Sequence, residues 1–256
     1  MAIRFDSTDR LSRTTNLPSE ASITFACCGR RQVDRGGYGC FVEMVNGAAG
    51  AGIFVGFDGS GDNIIVNNYI ADSSTIITPG TGNWFFAALT QNGTGAGNLI
   101  GYAALHTSAS LSSQTHTGVS FTEATLNIGN NAGGDLFNGD LAFVKIWTAV
   151  LTSAELEAER WSAWPVRWAN LHAFYPLLDV NSRTFDYTSN GYTMTSAGTL
   201  TQADNPPVAI APFFWPGGWR GAFTASGVAG PTTDQLWPAF AQLQNRGNAM
   251  IGRRYV

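Results

Sequence analysis

The stretch FNGDLAFVKIWTAVLTSAELEAER, residues 137–160, constrains the fold of this chain more than any other. A Gly turn leads into a β-rich run, and a helix then starts abruptly. Thr152 and Glu155 have the S/T-x-x-E spacing of a capping box, and Leu151 and Leu156 stand where a hydrophobic staple would close over it. The pattern predicts a strand running straight into one short helix over residues 152–162. Upstream, AIRF, SITFA, GYGCFVEMV, GIFVGF, NIIVNNYI and GNWFFAALTQNG read as short strands, followed by NLIGYAALH and ATLNIGN. Ile23 and Phe25 alternate with Ser22 and Thr24, the pattern of a half-buried strand. Gly-rich connectors such as NGAAGAG and DGSGDN separate the runs. Short strands with regular turn signals predict an all-β sandwich or barrel.

A chain of 256 residues suffices for one large β domain with an appendage. Hydrophobic residues make up 44% and charged residues 12%, about half the usual charged share. A surface of Ser, Thr, Asn and Gly costs less to desolvate than a charged one, and so suits packing into an assembly. Compositional bias of the source explains the same numbers, and the single lysine, Lys145, against 13 arginines fits it. The net charge of −4 comes with no basic block, and the densest basic spot, RRQVDR at 30–35, reads as a solvated loop. This argues against a nucleic-acid partner, which needs a positive stripe for the phosphates. Cys27, Cys28 and Cys40 are an odd set. On a strand the adjacent pair faces opposite sides, so one of them could reach Cys40, but buried free thiols in a reducing compartment are the favoured expectation. No signal peptide is read after Met1 and no stretch approaches membrane-spanning length, so production in a cytoplasm and no membrane partner are expected.

Several segments carry a family resemblance. IRFDSTDRLS resembles the opening strand of a laminin-G-like domain, and SITFACCGR its next long strand. GNWFFAALTQNG resembles the family's G-x-W-x-x-V-A strand, with Trp84 at the aromatic position and expected in the core beside Phe85 and Phe86. LNIGN and FNGDLAFVKIWTAVLTSAELEAE match its last strands and closing helix. In this order the segments resemble laminin-G-like, concanavalin A-like jelly-roll domains over most of residues 3–160. Residues 171–200, LHAFYPLLDVNSRTFDYTSNGYTMTSAGTL, resemble a segment that in those families more often precedes the opening strand. Here it is expected to complete the sandwich, because a lone hairpin is marginal. Asp186, Ser189 and Asn190 match its D-x-S-G-N-G turn, except that Thr188-Ser189 replaces Ser-Gly, and Asp186 is expected to accept nearby backbone N–H groups. The order, running into NPPVAIAPFFWPGG, is similar to lectin-like domains carried by bacteriophage structural proteins.

The resemblance implies an all-β antiparallel β-sandwich, a jelly roll, over residues 1–205 with one short helix, rather than an α/β enzyme scaffold, and a C-terminal extended arm follows over 206–256. In the arm, Phe213, Phe214, Trp215 and Trp219 either serve assembly and docking on a partner or wrap back over the sandwich. Related jelly rolls hold Ca²⁺ in loops, and Asp58, Asp62 and Asn63 of FDGSGDN could supply hard oxygen ligands. Asp135, Asn138 and Asp140 form a second such cluster, while all six are also ordinary turn formers. For glycans, Tyr69, Trp84, Tyr102 and Tyr38 are the possible platforms; Trp84 is expected in the core, and Tyr69 and Tyr102 are the candidate site residues. The E-x-D-x-x-E pattern of related glucanases is missing, since Glu155, Glu157 and Glu159 read as helical and Glu20, Glu43 and Glu123 are isolated. His106, His116 and His172 have no G-x-S-x-G elbow to serve. No catalytic residue is expected. The leading expectation is a non-catalytic virion-associated structural protein, such as a capsid decoration, fibre or tail component. Its partners would be other virion proteins, sister subunits, and host or environmental glycans. A free bacterial carbohydrate-binding lectin is the alternative, and a glycan-cleaving jelly-roll enzyme is third.

Overall fold

The computed structural model describes residues 2–208 apart from Ser7, Glu20, Arg35, 47–50, 131–133 and 135–136. The described residues form two antiparallel sheets stacked as a sandwich. Along the first sheet lie β9 (Ser112–Gly118), β8 (Gly95–Leu105), β7 (Trp84–Asn92), β3 (Ser22–Arg31), β11 (Gly139–Trp147), β1 (Ala2–Phe5) and β14 (Thr201–Ala203). β12 (Leu171–Tyr175) pairs with β11 as well, over Val144–Trp147, beyond the end of β1. The second sheet runs β6 (Ile64–Asn67), β5 (Ala51–Phe57), β4 (Gly39–Asn46), β10 (Thr125–Ile128), β2 (Arg10–Arg13) and β13 (Thr195–Ala197). Residues 171–203 therefore contribute strands to both sheets. No helix among the described residues is long and apolar enough to cross a membrane.

Strand alternation builds the core. Ile23, Phe25 and Cys27 of β3 point between the sheets, while Ala26 and Cys28 point away. Phe41 sits at the centre of the core, with the rings of Phe57, Phe85 and Phe137 at 4.9, 5.1 and 5.2 Å. Gly101 is required where the sheets approach, because a Cβ there would lie 2.5 Å from Ile76 and 2.7 Å from Val66. Cys27, Cys28 and Cys40 are all buried, and no disulfide joins any two of them. Burial pushes Cys27 up and Cys28 to about 12, so neither is a nucleophile near neutral pH.

The first sheet is apolar on its outer face too. Phe86, Phe143, Trp147 and Phe174 form a second cluster there, closed by Leu151, Leu156 and Val208. Leu156 comes from α1 (Ser153–Arg160), which starts at the expected capping box: Thr152 Oγ1 accepts from the Glu155 N–H, and Glu155 accepts from the Thr152 N–H. A register shift in β11 between Ala142 and Lys145 makes this arrangement possible. With strict alternation from Leu141, residues 143 and 145 would face the core. Phe143, at φ +54°, absorbs one extra residue, so Val144 and Ile146 face inward and Lys145 faces out beneath α1. Trp84 is likewise on the outer face, half-buried with Arg30 stacked 4.9 Å from its ring, and not in the core as its neighbours suggested. Asp186 accepts from the N–H groups of Phe174, Thr188 and Tyr192, the role its turn motif implied.

His106 lies under the helix at 7% exposure, and neither ring nitrogen has a hydrogen-bond partner among the described residues. Burial, then the Arg160 charge, lowers its pKa from 6.5 to about 4. Between these values the unfolded chain binds a proton that the folded chain does not. Stability should therefore fall as pH drops from about 6.5 to 4 and level off below, by about 3 kcal/mol in all. Urea-unfolding free energies across this range check it, with His106→Leu expected to remove that part of the slope.

Candidate functional site

The outer face of the second sheet is built differently. Cross-strand neighbours Ser12, Asn127, Glu43, Phe54 and Asn67 form one row across β2, β10, β4, β5 and β6. Their sequence neighbours Leu11, Leu126, Met44, Val55 and Val66 face the core, so the row faces away from it. Glu43 is nonetheless fully buried, because Tyr69 arches over it and donates its hydroxyl to Oε2, while Asn127 donates to Oε1 at 2.6 Å. A buried carboxyl group that accepts a hydrogen bond on each oxygen fixes the side chains that donate to it.

The loop after β6, NNYIAD, is held by its own side chains. Asn67 Oδ1 accepts the Tyr69 N–H, and Asn68 Oδ1 accepts the N–H groups of Ile70 and Ala71 at 3.0 Å. Asn68 Nδ2 donates to Thr117 O at 3.1 Å, tying the loop to β9. These Asx turns hold Tyr69 at φ +63°, a left-handed conformation uncommon for an aromatic residue and a sign of a built site. Asp72 clasps the far side, accepting from Asn67 Nδ2 at Oδ1 and from Tyr38 Oη at Oδ2, 2.9 Å away. Between the two tyrosines opens a cleft of about 230 Å³, lined by Tyr38, Phe54, Asn67, Tyr69, Ile70 and Ala71. Tyr38 and Tyr69 each meet Phe54 at nearly a right angle, 86° and 77°, and Ile70 is 81% exposed at the rim.

The structure brings together Tyr69 and Tyr38 from the sequence candidates and separates Tyr102, which stands half-buried on the first sheet. In the FDGSGDN loop the oxygens turn inward to protein donors. Asp58 accepts from Ser60 Oγ at 2.6 Å and Asn63 Nδ2 at 2.8 Å, while Asn63 Oδ1 accepts from Thr78. Burial alone would raise the Asp58 pKa, but these hydrogen bonds hold the carboxyl below its usual range. Asp62 Oδ1 lies 3.1 Å from two nitrogens of the Arg31 guanidinium, which would repel a second cation. Arranged this way, Asp58, Asp62 and Asn63 do not converge on Ca²⁺. In the second cluster Asp140 is buried between Arg4 and Arg30, and Asp135 lies outside the described residues. Among the described residues no group of three or more His, Cys, Asp or Glu side chains is placed to hold a metal ion.

Glu43, Phe54, Asn67 and Asp72 escaped the sequence reading. The available signal was Glu43 itself, one carboxylate inside the apolar run CFVEMV, together with an Asn-Asn-Tyr turn closing β6. Tyr69→Phe should keep the ring and leave Glu43 short of a donor, costing about 1–3 kcal/mol in urea unfolding.

No protein-family model matches the chain, and no curated protein sequence matches it. Solved structures do. A protein of Bacteroides ovatus described as carbohydrate binding matches with a TM-score of 0.56 at 15% identity, over 82% of this chain and 61% of that one. The chain thus spans about three-fifths of that protein's length. The heptameric SAP-like pentraxin of Limulus polyphemus matches with a TM-score of 0.50 at 13% identity, over 78% of this chain and 93% of that one. The enzymatically active domain of tailspike protein 2 of bacteriophage CBA120 reaches a TM-score of 0.48 at 15% identity, over 66% and 28%, and carries no functional weight. What the first two share with this chain is the fold alone.

Proposed function

We propose that this chain is a non-catalytic glycan-binding protein, and that the cleft between Tyr38 and Tyr69 is its binding site. The observation that carries the reading is a pair of aromatic walls fixed by carboxylates, on the one outer sheet face that helix α1 does not cover. Aromatic rings suit the apolar faces of sugar rings, and the acceptors beside them suit hydroxyl donors. Glu43 lies buried beneath Tyr69, so among the described residues the cleft offers a ligand one exposed carboxyl, Asp72, and no glycosidase pair. On a glycan array the full chain should retain ligands that Tyr69→Ala loses by about tenfold or more, roughly 1.4 kcal/mol. Binding that survives this substitution places the site elsewhere, and breakdown of a bound glycan over time would overturn the non-catalytic reading.

We place this binding protein on a phage-type particle. The support is the order of the sequence segments, the weakly charged composition, and the aromatic arm. The arm residues Phe213, Phe214, Trp215 and Trp219 lie outside the described residues. Packing continues past Asn205 to Val208, which closes the second cluster, so a truncation that tests the arm ends after Val208. Light scattering should give a multimer for the full chain and a folded monomer for the truncation. Monomers in both cases would favour a free lectin whose tail wraps its own domain.

A further inference from the structure

We propose that the cleft takes a single terminal, uncharged sugar residue and rejects acidic sugars. The inference rests on the glycan-binding reading and concerns the class of ligand that the site selects.

Size sets the first limit. The cleft's 230 Å³ is short of the ~300–1,000 Å³ of pockets that enclose larger ligands. It has room for one sugar ring rather than a stretch of chain. Its walls and loop are fixed on several sides: Tyr69 to Glu43, Tyr38 to Asp72, Asn68 to Thr117, and the Ala71 carbonyl to His116 Nε2 at 2.9 Å. A site built this way does not widen easily for a longer segment.

Polarity sets the second. The six lining residues are uncharged. Among the described residues, two carboxyl groups accept from lining side chains, Glu43 beneath Tyr69 and Asp72 beside Tyr38 and Asn67. Both tyrosine hydroxyls and an Asn67 amide proton are thus directed at carboxylates. Asp72 is exposed at the edge of the cleft and each of its oxygens has a second lone pair. What the site presents to a ligand is apolar ring surface and acceptor oxygens. A ligand satisfies it by donating hydroxyl or amide protons. A sugar carboxylate brings a like charge beside Asp72 in a partly desolvated cleft, which is discrimination by repulsion.

Calorimetric titration of the full chain tests this with methyl glycosides of galactose, fucose and N-acetylglucosamine, set against glucuronic acid and N-acetylneuraminic acid. At least one neutral probe should bind in a manner lost in Tyr69→Ala, and both acidic probes should bind about tenfold more weakly or not at all. Asp72→Asn should narrow that gap. A trisaccharide of the best neutral sugar should bind within about threefold of its methyl glycoside. An acidic probe that binds as well as the neutral one at the Tyr69-dependent site overturns the inference and leaves the glycan reading standing. So does a gap that Asp72→Asn leaves unchanged, or a trisaccharide that binds more than about tenfold tighter. If no probe binds, or binding ignores Tyr69→Ala, the glycan reading falls and this inference falls with it.

Discussion

The ion pair between Lys145 and Glu159 is the interaction on which the rest of the arrangement depends. Both side chains are almost fully buried and 2.7 Å apart. Burial lowers the Lys145 pKa, and Glu159 draws it back. The ammonium also donates to the carbonyls of Ser162 at 2.8 Å and of Glu159 and Trp164 at 3.3 Å. The other Glu159 oxygen accepts the N–H groups of Val166 and Arg167 at 2.8 and 2.7 Å. A buried pair adds little net stability, since desolvation offsets the attraction, but losing one partner costs about 3–5 kcal/mol. Its effect here is positional. One contact pins β11, the end of α1 and the 162–167 return to one another, and so fixes how the helix covers the sheet.

That cover divides the two outer faces. On the first sheet, apolar residues such as Phe86, Trp147 and Phe174 need burial, and α1 with the segments after it supplies it. On the second sheet the outward row is polar apart from Phe54, which lies beneath Tyr38 and Tyr69. The sandwich therefore has one face committed to its own chain and one whose loop and tyrosines form a cleft. The location of the candidate site follows from this asymmetry.

Much of the fold was legible in the sequence because its signals are local. Thr152 and Glu155 cap the helix through contacts three residues apart, and Ile23 and Phe25 face the core as period-two alternation requires. What escaped depends on a register break or on distant chain segments. The shift at Phe143 turns Lys145 outward, and no turn residue announces it. Trp84 sits among core-forming residues but pairs with Arg30 across β3 and β7. Tyr69 could be singled out as an aromatic in an Asn-rich turn. Its partner Glu43 lies 26 residues away, and the pairing of β4, β5 and β6 is what brings them together.

The same long-range pairing gives the cleft its physical character. Holding Tyr69 in the left-handed region costs of order 1–3 kcal/mol, a cost borne when the chain folds. The compensation comes from the Asn67 and Asn68 turns and from the hydroxyl bond to Glu43, all made before any ligand arrives. Ordering a rotamer-rich side chain on binding typically costs about 0.5–1.5 kcal/mol, and here both rings are already set by carboxylates. A small cleft offers few contacts, so pre-set walls matter more to it than to a large interface. The strained tyrosine and the buried glutamate under it act as one device, in which folding energy fixes the ring where a sugar face would stack.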